Sequence, residues 1–342
     1  MDAAADDTRT PDTPAGPDLT VRVRPGEYLL LGEELEWWER AEQVHRARLG
    51  SAVEHMTGAV AVLESAALVH GARLKVVPEQ AHLWVPWRRK ATPGRTGRLW
   101  DLPRRDREAR LATRPVVNHR MDLDTDELTV RDGVLVTDLI QTTLHCARFL
   151  PPDRAFAVVE SLVAIASDRG DNWREERAEV AEAARRFRLE ALRSLSDLRG
   201  QRGVAQAKSI LHWASPLSES VWESEMRRVA LAAGYLEVEA QMEVRTARGA
   251  RWADMGVRRA RCCFEANGEV KYAGTTGPGK RRAQAMRTHE ITGAGYRVVD
   301  LSVPEIRDTG ALLETLDLHI GDTRQRSGVR ALWTPSERHR FT

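Results

Sequence analysis

The sequence predicts an α/β protein, α+β in its N-terminal half and built on a mixed sheet flanked by helices in its C-terminal half. Three observations carry this. Leu128-Thr-Val-Arg131 and Val134-Leu-Val-Thr137 alternate like strands on either side of Asp132-Gly133, a dipeptide suited to a two-residue hairpin turn. Helical spacing closed by glycine recurs between strands, as in Ser218 to Ala233 before Gly234, a helix-stop signal. Finally, a turn over Arg258 to Arg261 pairs Val257 with Cys262 and sets Asp254 opposite Glu265. The same register gathers Ala253, Met255, Val257, Cys262, Phe264 and Ala266 on the other, apolar face. A one-residue slip would scramble both faces.

In chain order, residues 1–20 form a tail of Asp, Thr, Pro and Ala with little to bury, a composition that stays disordered. An α/β domain over 21–165 opens with the alternating Val21-Arg-Val-Arg24. Glu33 to Met56 is helical, and Val60 to His70 makes a second helix closed by Gly71. Strands are expected at Leu74 to Val77, His82 to Trp87 and Val116 to Met121. The arginine-dense stretch Arg88 to Arg110, with Trp100, is a long loop. After the Asp132-Gly133 hairpin, Thr137 to Phe149 is helical and Pro151-Pro152 opens a helix through Val163.

Residues 166–212 read as a helical connector, because Asn172 to Leu198 is highly charged and amphipathic and ends at Gly200. The next unit, 213–320, holds the helix Ser218 to Ala233, the strand Val238 to Thr246 and the carboxylate hairpin. It continues with the helix Gly279 to Thr292 and the strand Tyr296 to Leu301. Ser302 and Glu305 fit a capping box for a last helix to about Leu318. This order puts the hairpin, a crossover helix and a returning strand in one sheet. Residues 321–342 are basic and expected to be loose.

No apolar run approaches the roughly 18 residues of a membrane span, and Met1-Asp-Ala-Ala-Ala-Asp-Asp7 lacks the apolar stretch of a secretory signal. A cytoplasmic protein without a membrane partner is expected. Cys146, Cys262 and Cys263 have no zinc spacing and read as reduced, structural thiols. A net charge of +2 leaves the question of nucleic acid to local charge.

Two ionised carboxylates set against each other repel, so Asp254 and Glu265 point to a hard cation, Mg²⁺ or Mn²⁺, or to a shared proton. The alternative is ion pairing with Arg251, Arg258 or Arg261. Glu223 is either a third acidic group of the site or the capping partner of Ser220. Asn267, two residues past Glu265 and so on its face, and Lys271 beyond it are candidates to position water or phosphate. Lys280, Arg281 and Arg282 open a helix after Gly277-Pro-Gly279. Cations there oppose the helix dipole, a cost that a bound phosphate relieves, which makes them candidate nucleic-acid contacts. The loop Arg88 to Arg110 carries similar charge. His145 and His289 read as ordinary helix residues.

This element order, with Asp254 on one strand and Glu265-Ala-Asn267 on the next, resembles the PD-(D/E)XK nuclease fold. More narrowly, four segments are similar to the uncharacterised bacterial family related to very-short-patch repair endonucleases, over roughly the last third of the chain. They are Ser218-Glu-Ser-Val-Trp-Glu223-Ser, Gln241-Met-Glu-Val244, Phe264-Glu-Ala-Asn-Gly-Glu-Val-Lys-Tyr272 and Gly295-Tyr-Arg-Val-Val299. In the front half, Pro25-Gly-Glu-Tyr28, Val62-Leu-Glu-Ser-Ala-Ala-Leu-Val-His-Gly71 and Thr137-Asp-Leu-Ile-Gln-Thr-Thr-Leu144 resemble AbiE-type antitoxins, which often precede such a domain in actinobacterial chains. Of the winged helix-turn-helix that opens those relatives, only the wing-like strand Val21 to Leu30 has a counterpart, so the domain lacks a full helix-turn-helix.

The resemblance implies Mg²⁺- or Mn²⁺-dependent hydrolysis of DNA. Asp254 and Glu265 would be the metal ligands, Glu223 would assist, and Asn267 or Lys271 would position water. It also implies a toxin–antitoxin or phage-defence setting, with a cognate toxin as partner. The chain departs from the family at Asn267, where Glu-x-Asp-Gly is usual, near Gln284, where an acidic residue is usual, and at Asp300, where arginine is usual. Two functions follow: a DNA endonuclease of weakened activity, or a non-catalytic, antitoxin-like regulator or interaction protein.

Overall fold

The computed structural model describes residues 19–24, 26–32, 35–86, 116–267 and 277–341. The acidic tail and the arginine-dense loop expected from the sequence lie outside them, apart from the last two residues of the tail. The hairpin β1 (Leu19–Arg24) and β2 (Glu27–Leu31) leads into α1 (Trp37–His55). Next come β3 (Val60–Ala61), α2 (Leu63–Val69), β4 (Ala81–Trp84), β5 (Val116–His119), β6 (Leu128–Arg131) and β7 (Val134–Thr137). These strands order as β5-β4-β3-β7-β6. The expected helix from Val60 to His70 therefore begins only at Leu63. Val60 and Ala61 are buried and pair with β4, and Ala61 also pairs with β7. An all-apolar run at a sheet centre has no period that tells strand from helix. Leu74 to Val77 forms no strand. The β6–β7 hairpin forms as expected, with Asp132 at φ 50° and Gly133 at φ 76°, the positive pair that such a turn requires.

Helices α3 (Leu139–Phe149), α4 (Pro152–Ala166), α5 (Arg177–Ser194) and α6 (Val204–Trp213) follow. The segment expected to be a connector is instead a packed layer. Val180, Ala184 and Ala191 of α5 and Ala207, Ile210 and Leu211 of α6 are buried. All but Val180 belong to one apolar core, which also holds Ala67 of α2, Phe156 of α4 and Phe264 from the C-terminal sheet. Charge on the outer faces of α5 hides this, since the buried stripe is made of small residues.

The C-terminal half comprises α7 (Val221–Ala233), β8 (Glu239–Thr246), β9 (Gly249–Val257), β10 (Cys262–Asn267), α8 (Gly277–Gly293), β11 (Arg297–Ser302), α9 (Val303–Arg307), α10 (Thr309–Ile320) and α11 (Pro335–Phe341). Its sheet orders β11-β10-β9-β8, with β8, β9 and β10 antiparallel and β11 parallel to β10. The expected last helix is two. Ser302 and Glu305 make the capping box of α9, and Asp308 restarts the chain as α10 by accepting the N–H groups of Gly310 at 2.9 Å and Ala311 at 3.2 Å.

The chain end is not loose. Gln325 and Val329 donate backbone N–H groups to the Gly234 and Leu231 carbonyls at 2.9 and 3.0 Å. A side chain at Gly234 (φ 104°) would meet the Gln325 carbonyl oxygen at 2.7 Å. Leu332 and Trp333 are buried, and burying Leu332 alone contributes roughly 1.5–3 kcal/mol. Arg228 of α7, 0% exposed, is held by Glu225, by Glu337 of α11 and by the Leu332 carbonyl. The segment straps down the helix that carries Glu223. Apart from Val329 and the run Ala331-Leu332-Trp333, the segment's described apolar residues come down to Phe341, and these among so many charges leave no periodic signal.

Candidate metal and nucleic-acid site

Helix α7 starts where Ser220, in extended backbone, accepts the Glu223 N–H at 3.1 Å, an N-cap. The Glu223 carboxylate turns back to accept the Glu219 N–H at 2.8 Å, and the same oxygen accepts from Gln241 Nε2 at 3.0 Å. That amide also reaches Asp254 Oδ1 at 3.3 Å. Gln241 is buried with φ 46°, a left-handed conformation that costs a non-glycine residue roughly 1–2 kcal/mol. Arg177 Nη1 bonds its carbonyl at 3.2 Å and helps hold it there.

Pairing of Val257 with Cys262 is present, continues through Gly256 with Cys263 and Met255 with Phe264, and stops. Asp254 therefore does not face Glu265 across a ladder, as the sequence register implies. Its Oδ2 accepts the Ala266 N–H at 2.8 Å, standing in for a strand carbonyl. The irregularity replaces a ladder bond with a side-chain bond. It also separates Ala253 from the expected apolar face. Ala253 packs with Met242, Val244, Cys263 and Ile291, while Met255, Val257, Cys262, Phe264 and Ala266 join the main core.

Glu265 is 2% exposed, and Arg287 of α8 reaches it with a side chain 34% exposed. Glu265 Oε2 accepts from Arg287 Nη2 and from Gln284 Nε2, the latter at 3.4 Å. Its Oε1 is buried and has no hydrogen-bond partner. Burial pushes the Glu265 carboxyl well above the usual glutamate range, the Asp254 charge pushes it further, and Arg287 and Gln284 oppose them. Glu223 is raised in the same way, by burial and then by Asp254. A cluster of this kind favours a proton or a cation.

The remaining residues singled out by sequence fall as follows. Asn267 donates its amide to Asp300 Oδ1 at 2.8 Å, and Asp300 is paired with Glu265 across β10 and β11. Lys271 lies outside the described residues. Lys280, Arg281 and Arg282 lie near the start of α8, and Arg282 is exposed. Arg251 pairs with Glu290 and Arg258 with Glu239, while Arg261 donates to the carbonyls of Ala294 and Gly295. The arginine at Glu265 is Arg287, which sequence reasoning missed, as it missed the role of Gln241. The signal for Arg287 was the α8 spacing Gln284, Arg287, Glu290, Ile291, a largely polar stripe on the side turned to the sheet.

A divalent cation is the group that the resemblance implies. Asp254 and Glu265, with the unpartnered Oε1, make a donor set that suits Mg²⁺, which takes one or two carboxylates and keeps several waters. Among the described residues no group of three or more His, Cys, Asp or Glu side chains is placed to hold a metal ion, so Glu223 does not complete a three-ligand site. Among the same residues no helix is long and apolar enough to cross a membrane. No protein-family model, curated protein or solved structure matches this chain.

Proposed function

We propose that this chain is a nucleic-acid-binding protein whose C-terminal half is a PD-(D/E)XK endonuclease-like domain, hydrolysing DNA phosphodiester bonds with weakened activity. The observation that carries the reading is the buried Glu265 carboxyl with a free oxygen, electrostatically coupled to Asp254. The sheet supports it: a helix, three antiparallel strands, a crossover helix and a parallel return strand. Asp254 and Glu265 would hold and orient Mg²⁺ or Mn²⁺, which would supply charge to the scissile phosphate and lower the pKa of a water. Glu223 acts through Gln241, which fixes the Asp254 carboxylate. Asn267 offers a hydrogen bond and no charge, and loss of one such electrostatic contact slows a reaction by roughly 10²- to 10³-fold. The basic start of α8 draws the DNA backbone.

A second reading, a non-catalytic antitoxin-like regulator or interaction protein with a cognate toxin, is favoured by two contacts. The Asn267 amide is committed to Asp300, and Glu265 already faces Arg287. Nicking of supercoiled plasmid with Mn²⁺ separates the two. The nuclease reading expects slow nicking, lost in Glu265→Ala and faster in Asn267→Asp or Asn267→Lys. If no 267 variant cuts, the non-catalytic reading stands. In either case the triple change of Lys280, Arg281 and Arg282 to alanine is expected to flatten the log-log salt dependence of DNA binding by about two to three, near one per phosphate contact. An unchanged slope moves the contacts elsewhere.

A further inference from the structure

The grip of Arg287 on Glu265 differs from two other buried pairs of this protein, and although Arg227 likewise gives Glu160 one nitrogen and leaves its buried Nε without a partner, only at Glu265 is a carboxylate oxygen left bare as well. Arg154 holds Glu64 with two nitrogens, Nε at 2.8 Å and Nη2 at 2.5 Å, one to each carboxylate oxygen. Arg228 holds Glu225 in the same forked way, at 2.8 Å twice. Arg287 uses a single nitrogen. Its Nη2 serves both Glu265 Oε2 and Gln284 Oε1, the latter at 2.7 Å, while its Nε is buried without a partner. Opposite it, Glu265 Oε1 is equally without one. A donor and an acceptor left over in one contact mark a pair that has not reached its best geometry. The arginine is also the exposed member, 34% against 2% for the glutamate. It comes from the helix whose first turns carry Lys280, Arg281 and Arg282.

We propose that Arg287 is a phosphate-binding residue that gates the cation site: without nucleic acid its guanidinium stands at Glu265, and a backbone phosphate draws it away and opens that carboxylate to a divalent ion. This rests on the Asp254–Glu265 metal reading above. The exchange is favoured by geometry, because a phosphate offers the forked, charge-assisted pairing that Glu265 does not receive here. Guanidinium and metal ion compete for the same carboxylate, so DNA raises metal affinity, and by linkage the metal raises DNA affinity by the same factor. A chain gated in this way holds its metal more weakly when free than on DNA.

Calorimetric titration of the full-length protein with Mn²⁺ in the absence of DNA tests this, comparing wild type, Arg287→Gln and Arg287→Gln combined with Asp254→Ala. Arg287→Met, which keeps the volume, serves if the glutamine variant fails to fold. The expected result is Mn²⁺ binding tighter by tenfold or more without Arg287 and abolished by Asp254→Ala. The salt slope of duplex binding is expected to fall by about one, a change that a merely structural arginine would not produce. Equal Mn²⁺ affinity with and without Arg287, at a site that Asp254→Ala still removes, overturns the gate and leaves the metal site standing. Absence of any Asp254-dependent binding in every variant overturns both.

Discussion

Glu160 and Glu265 are both buried glutamates facing an arginine, one in the helical layer and one in the C-terminal sheet, at 1% and 2% exposure. Glu160 is fully bonded. Its Oε1 accepts from Arg227 and from the Ser215 N–H at 2.9 Å, and its Oε2 from the Ser218 hydroxyl at 2.7 Å. Glu265 concentrates its bonds on one oxygen and leaves the other bare. Burial is the same, so the difference lies in satisfaction. The first arrangement fixes the helices to each other; the second leaves a buried carboxylate oxygen without a hydrogen-bond partner.

Three changes test that contrast. The largest effect is expected at Arg227→Ala, which leaves Glu160 charged and buried and is expected to cost about 3–5 kcal/mol, read from the urea midpoint. A loss below about 1 kcal/mol would make Glu160 no more structural than Glu265. At Glu265→Gln the sign is expected to reverse. Removing a poorly compensated buried charge is expected to leave stability unchanged or raise it by up to about 1 kcal/mol at slightly alkaline pH. A loss matching that of Glu160→Gln would instead mark Glu265 as part of the scaffold.

The smallest effect is in pH dependence. The folded Glu265 carboxyl is raised above its unfolded value, so the folded chain keeps a proton that the unfolded chain has released. That contribution to stability is complete below the ordinary carboxylate range and is lost as pH rises toward the folded value. Glu337 runs the other way. Burial works to raise its carboxyl, but the hydrogen bonds and charge of Arg228 overcome this and hold it at about 2. Its contribution is complete above the ordinary 4.5 and lost as pH falls toward about 2. Glu265→Gln is expected to flatten the stability profile between pH 4.5 and about 7, and Glu337→Gln to flatten it between about 2 and 4.5. Identical flattening by both would contradict the contrast.

Much of the sheet was legible from sequence because turns and alternation are local. The Asp132-Gly133 hairpin, the Val257–Cys262 pairing and the Ser302–Glu305 capping box all follow from neighbours in the chain. The break at Asp254 was not legible, since nothing in a period-two pattern says that a side chain will replace a ladder carbonyl at Ala266. Arg287 was hidden for a similar reason. An arginine in a charged helix reads as solvent-facing, and only the sheet across from it shows a buried carboxylate waiting. The packed layer of α5 and α6 and the strap around Trp333 depend on contacts between residues far apart in sequence.

Whether Asp254 and Glu265 bind a divalent ion decides between the two proposed functions. Titration calorimetry with Mn²⁺ on the DNA-saturated protein, against Asp254→Ala and Glu265→Ala under the same conditions, measures this directly. One Mn²⁺ per chain that either substitution abolishes is the expected result. Mn²⁺ uptake that is the same in wild type and both variants would contradict it, leaving the bare oxygen of Glu265 as a protonated carboxyl in a structural site.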